Sequence, residues 1–166
     1  MRICGIDPGL DKTGYGLVEL VDGQLKFVEA GVIRSLPKDS LSDRLKEIHS
    51  ELSTLLKRLK PDCVSLEEIY SHYEHPATSV LMGHARGVIL LAAGQAGLPV
   101  ASYKPAHIKK AVTGRGHATK EQIRQMVTGL LGQSFDGPDD VTDALAIAMT
   151  HVHTLKVPVS AGGNFK

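Results

Sequence analysis

The chain has 166 residues with 19 Lys and Arg against 18 Asp and Glu, a formal charge of +1, and is 42% hydrophobic and 22% charged. That length fits one ordinary domain with a core of its own and leaves no room for a separate cofactor module. The balanced totals and the lack of low-complexity tracts exclude a histone-like polycation and a disordered chain.

The first residues, Arg2 to Asp7, read as a short apolar strand ending in an acid, and Pro8-Gly9 then turns the chain. This opening lacks the charged and then apolar pattern of a secretory signal, so a cytoplasmic protein is expected. A second strand is predicted over Thr13 to Val21, and Asp22-Gly23 is the residue pair that a tight hairpin favours before a third strand, Gln24 to Ile33. Leu41, Leu45, Ile48, Leu52, Leu55, Leu56 and Leu59 then recur at helical spacing. Ser40 with Asp43 forms an acidic variant of the capping box, and Pro61 closes the helix.

Asp62 to Glu68 has lost the helical period and reads as a buried parallel strand, again ending in acids. Ala77 to Gly97 is a helix that is apolar nearly all round, which predicts burial on more than one side. Its longest apolar run, Val88 to Ala93, falls far short of the roughly 20 residues that span a bilayer, so no membrane role is expected. Pro99 to Tyr103 is a fifth strand, and Ala106 to Val112 and Lys120 to Leu131 are helices around the glycine-bearing loop Thr113 to Thr119. A last helix starts near Pro138, with Val141, Ala144, Leu145, Ala148, Val152 and Leu155 marking its buried face. The polar stretch 156–166 is expected to be a flexible tail behind a domain spanning 1–155.

These elements make an α/β domain with a mixed five-stranded sheet, three antiparallel strands followed by two parallel ones, and helices on both faces. Right-handed crossovers put the first and fourth strands side by side. Ligands bind near the carboxyl ends of such strands, where Asp7 and Glu67-Glu68 stand. Asp139, Asp140 and Asp143 crowd the start of the last helix, and Asp140 and Asp143 share a face. Acids at a helix N-terminus are favoured by its dipole, and Asp7 before Pro8-Gly9 could simply cap a turn. Acids in three separated places, each adjoining an apolar run, point instead to one converging cluster. Such a cluster repels itself unless cations sit in it, and oxygen ligands without cysteine suit magnesium or manganese.

Cations are concentrated elsewhere. From Ala101 to Met126, Lys104, Lys109, Lys110, Arg115, Lys120 and Arg124 face only Glu121, a local net charge of +5 that suits phosphate binding. The pairs His72 with His75 and His151 with His153 lack the spacing of a zinc site. His117, in the basic loop, is better placed to touch phosphate. Cys4 and Cys63 read as buried thiols without a role.

Gly5-Ile6-Asp7-Pro8-Gly9, Thr13-Gly14-Tyr15-Gly16, Leu66-Glu67-Glu68, His84-Ala85-Arg86-Gly87, Gly116-His117-Ala118-Thr119-Lys120 and Asp143-Ala144-Leu145-Ala146-Ile147-Ala148 occur here in order. Together they resemble the RuvC family of bacterial Holliday-junction resolvases, which have an RNase H-like fold. The resemblance implies a catalytic, metal-binding tetrad of Asp7, Glu67, Asp140 and Asp143. It further implies two Mg2+ ions, with Mn2+ able to substitute, and paired symmetric nicks in four-way junction DNA that leave 5′-phosphate and 3′-hydroxyl ends. By the same resemblance, Tyr70 helps open the junction and Lys109 and Lys120 are functional lysines; the basic segment itself adds Lys110, Arg115 and His117 as expected DNA contacts. A homodimer through the long apolar helix, RuvA and RuvB as branch-migration partners, and a role in recombination and repair complete what it implies. A hairpin with Asp-Pro-Gly also resembles the phosphate loop of actin-like ATPases, but those need a second domain, so no nucleotide cofactor is expected. The remaining alternatives are an RNase H-like nuclease acting on RNA and a junction binder without catalysis.

Overall fold

A computed structural model describes residues 1–69, 76–135 and 137–155. Strand β1 (Arg2–Asp7) pairs antiparallel with β2 (Lys12–Val21), and β2 pairs antiparallel with β3 (Gln24–Arg34). Asp22 and Gly23 make the turn between β2 and β3 with φ of 51° and 75°. Two successive left-handed residues are what a type I′ hairpin requires, and Asp and Gly tolerate them better than most residues. A bulge between Leu17 and Val18 shifts the β2–β3 register.

Helix α1 (Leu41–Leu59) begins where Ser40 accepts a hydrogen bond from the Asp43 amide at 3.2 Å, and ends on Lys60 in the left-handed conformation. The chain then forms β4 (Cys63–Glu67), α2 (Pro76–Gln95), β5 (Val100–Tyr103), α3 (Pro105–Thr113), α4 (Lys120–Leu131) and α5 (Asp139–Thr154). Sheet order is β3-β2-β1-β4-β5, with β4 parallel to both β1 and β5. The expected mixed sheet and the pairing of the first and fourth strands are therefore found.

Strand alternation divides the core into two layers. Ile3, Val18 and Cys63 face α3, α4 and α5, whereas Cys4, Ile6, Leu17, Val64 and Leu66 face α1 and α2. On the α5 side, β1 and β2 carry glycine where most sheets carry bulk. A Cβ on Gly5 would lie 2.0 Å from the Ala144 carbonyl oxygen, one on Gly14 2.1 Å from the Asp140 carbonyl oxygen, and one on Gly16 2.7 Å from the Leu145 side chain. The α5 backbone thus lies directly on the sheet.

Two expectations need correcting. Helix α5 is buried on every side from Ala144 to Thr150, while Leu155, expected on its buried face, is exposed because it follows the last turn. Helix α2 is buried on one side only. Ala85, Ile89, Ala92 and Ala93 pack toward α1 and the sheet, whereas Val80 and Leu91 are 58% and 53% exposed. With this outer face uncovered, Ala77–Gln95 has a mean hydropathy of 1.3, long and apolar enough to cross a membrane by length and composition. The Arg86 guanidinium, midway along it, donates to Ser102 Oγ at 2.9 Å and to the Glu67 carbonyl at 3.4 Å.

Gly14→Ala is expected to lose about 3 kcal/mol in denaturant unfolding, because neither the strand nor the α5 backbone can yield. Gly129→Ala in α4, where an added Cβ meets nothing within 4 Å, should instead gain about 0.5–1 kcal/mol.

Candidate active site

The pleat decides which acids meet. In β1, Gly5 faces α5, so Asp7, two residues on, faces it as well. In β4, Ser65 donates to the Ile147 carbonyl of α5 at 3.3 Å, which puts Glu67 on that same face. The parallel register pairs Ile6 with Leu66, so Asp7 and Glu67 follow as neighbours at the carboxyl ends of adjacent strands. Glu68 falls on the other side, beside Gly83, Arg86, Gly87 and Leu90 of α2. Its amide donates to the Tyr103 carbonyl at 2.8 Å.

Asp7 pairs across the sheet with Gly14, over which the Asp140 backbone passes. This contact delivers the first turn of α5 to the strand ends. Burial, reinforced by the charges of Glu67, Asp143 and Asp140, pushes the Asp7 carboxyl up to about 8 from 3.8. Burial also raises Glu67, with Asp143 adding to the effect and Lys109 and Lys120 opposing it. Asp143 is raised for the same first reason and relieved by Lys120. Asp7, Glu67, Asp140 and Asp143 thus stand within electrostatic reach of one another. Among the described residues no three His, Cys, Asp or Glu side chains close on a single point as they stand.

The nearest counter-charge is Lys120, whose Nζ lies 3.6 Å from an Asp143 oxygen and 3.7 Å from an Asp139 oxygen. Lys120 is the first residue of α4, a place where the helix dipole disfavours a cation. The acids of α5 offset that, Asp143 above all, and hold the ammonium above its ordinary pKa. Thr119 and Gln122 form a reciprocal capping box that fixes the helix start. Asp139 reaches α4, where Arg124 pairs with it and also donates to the Phe135 carbonyl at 3.0 Å.

Lys109 on α3 approaches Glu67 electrostatically, while Lys110, Arg115 and His117 are exposed along α3 and the loop after it. Thr113 Oγ1 accepts from the Arg115 amide at 3.2 Å and donates to the Lys109 carbonyl at 2.7 Å, ordering that loop. Tyr70, Tyr73, His72, His75 and the tail 156–166 lie outside the described residues. The sequence reading did not find the tie of Arg86 to the end of β4 or the pair of Arg124 with Asp139. Both join residues distant in sequence that lack any local spacing signal.

Half-buried carboxylates with raised proton affinity, and oxygen donors only, form a donor set that suits a hard divalent cation. The cations beside them suit a polyanion.

Residues 3–151 match the family described as Crossover junction endodeoxyribonuclease RuvC. The chain is similar to proteins of that name from Rhodopirellula baltica, 46% identical over 95% of this chain and 89% of that protein. It is also similar to one from Pelotomaculum thermopropionicum, 43% identical over 92% of this chain and 93% of that protein. Among solved structures, the fold is similar to Thermus thermophilus RuvC in complex with Holliday junction substrate, with a TM-score of 0.87 and 33% identity. That match covers 97% of this chain and 98% of the other. The yeast mitochondrial Holliday junction resolvase Ydc2 shares the fold, with a TM-score of 0.63 at 13% identity over 89% of this chain and 77% of the other.

Asp7 holds its proton more tightly in the folded protein than in the unfolded chain. Its contribution to stability is therefore full below about pH 4 and is lost as the pH rises toward 8. In chelator-treated protein at pH 8, Asp7→Asn should melt about 5 °C above the wild type, a gain on the order of 2 kcal/mol. The gap should narrow steadily as the pH is lowered to 5.

Proposed function

The chain belongs to the RuvC family of crossover junction endodeoxyribonucleases, and from that premise we propose that it resolves Holliday junctions in recombination and repair by paired, symmetric nicks. The observation that carries this reading is the meeting of Asp7, Glu67, Asp140 and Asp143 from three elements beside Lys109 and Lys120. A module that only bound DNA would gain nothing by turning carboxylates toward phosphates.

In this reading the four carboxylates hold two Mg2+ ions, for which Mn2+ substitutes. When bound, such ions activate water and stabilise the leaving oxygen of an in-line displacement at phosphorus, which leaves 5′-phosphate and 3′-hydroxyl ends. Asp7 lies between the β4 acid and the α5 acids and serves both positions. Its proton must leave before it can act as a ligand at neutral pH, and the ammonium of Lys120, which lowers its proton affinity, assists. Lys120 and Lys109 place positive charge where the scissile phosphate enters, so the polyanion is not repelled by the acids. Lys110, Arg115 and His117 extend that contact along the strand backbone. Tyr70, two residues beyond Glu68, is assigned to stacking on an unpaired base at the crossover.

A junction has two-fold symmetry, so matched nicks need two active sites related by the same symmetry. We assign the homodimer contact to the uncovered face of α2, where Val80, Leu91 and the open glycines Gly83, Gly87 and Gly94 allow another helix close approach. Residues 1–155 act as the resolvase domain, in the cytoplasm, with RuvA and RuvB supplying branch migration.

With Mg2+ and a synthetic four-way junction, the wild type should make symmetric nicks that ligase reseals, leaving linear duplex and RNA–DNA hybrid intact. Asp7→Asn should bind the junction and cut it at least about 1,000-fold more slowly. Preferential cutting of hybrid would contradict the proposal. In sedimentation, Leu91→Glu should convert a dimer to monomer and abolish paired nicking.

A further inference from the structure

The ion pairs around α4 give Asp139 a part of its own. We propose that Asp139 is a positioning residue, clamped by Arg124, that holds the Lys120 ammonium at the mouth of the carboxylate cluster once divalent ions occupy the acids. This inference rests on the nuclease reading of the site.

Lys120 sits almost equally far from Asp143, at 3.6 Å, and from Asp139, at 3.7 Å, with most of its side chain exposed. Of these two partners, Asp143 adds to the charge on Asp7, while Asp139 is also paired with Arg124 of α4. A cation among the acids competes with Lys120 for Asp143, and like charges then repel the ammonium. Asp139 is the partner that remains. Without it, a four-carbon side chain at an exposed helix start would sweep freely and lose the entropy advantage of a fixed donor.

Asp139 is itself immobilised. The Arg124 guanidinium spans Asp139 and the Phe135 carbonyl, so it ties α4 to the segment that leads into α5. Asp139 therefore cannot follow Lys120 outward, and the pair moves with the α5 frame that carries Asp140 and Asp143. The geometry thus couples the position of a phosphate-binding cation to the same helix turn that carries two of the acids.

The test is a double-mutant cycle on junction cleavage at saturating Mg2+, with the full-length protein. Asp139→Asn should lower kcat/KM about 10-fold in the wild-type background and less than about 2-fold in Lys120→Ala. Asp139→Glu should restore most of the loss, and Arg124→Gln should reproduce about a third of it, again only when Lys120 is present. The Mg2+ concentration for half-maximal rate should stay within about 2-fold in Asp139→Asn, a readout that separates positioning from ligation. Melting temperature is measured for every variant, and Arg124→Gln keeps the test open if Asp139→Asn does not fold. Additive losses with Lys120→Ala, or a sharply raised Mg2+ requirement, would overturn the positioning role while leaving the nuclease intact. A wild type that does not cut junctions at all would overturn the function itself and this inference with it.

Discussion

Everything at the site depends on how closely α5 lies on the sheet. Gly5, Gly14 and Gly16 strip one face of β1 and β2, and the α5 backbone, with the Leu145 side chain at Gly16, occupies the space that three side chains would have filled. Ala144 and Ala148 make the helix side of the contact equally thin. Side chains on Gly5 and Gly14 would push the first turns of α5 off the sheet and away from Asp7. The glycines cost the strands conformational entropy and β propensity. Complete burial of Ala144 through Thr150 offsets that cost and fixes the helix in register.

The close contact also creates an electrostatic problem. Like charges gather where burial already disfavours them, and Asp7 at the centre is pushed furthest. The fold answers with cations taken from α3 and α4, of which Lys120 stands against its own helix dipole. The resulting site is most stable while its acids are protonated or partly neutralised. The clustered acids and the lysines beside them are parts of one charge balance.

Much of this was legible in the sequence, and the exceptions have physical reasons. The Asp22-Gly23 turn, the Ser40 cap and the leucine period of α1 are local signals, and each element stands where those signals put it. Within Glu67-Glu68, composition cannot choose, but strand alternation turns one acid to α5 and the other to α2. Within Asp139-Asp140 the choice needs tertiary contacts, since Arg124 draws the first toward α4 while the second rides over Gly14. Burial on more than one side of α2 is not found, because an apolar sequence does not reveal which of its faces the chain itself covers. The run of glycines in β2 was visible, yet only the packed helix shows what they make room for.

The most direct test of this account is calorimetric titration of the DNA-free protein with Mn2+ at pH 7, in two buffers of different ionisation enthalpy. If Asp7 is the shared, proton-holding centre of one cation site, binding releases close to one proton per chain, and Asp7→Asn loses both the release and most of the affinity. Binding without proton release, or unchanged binding by Asp7→Asn, would contradict it.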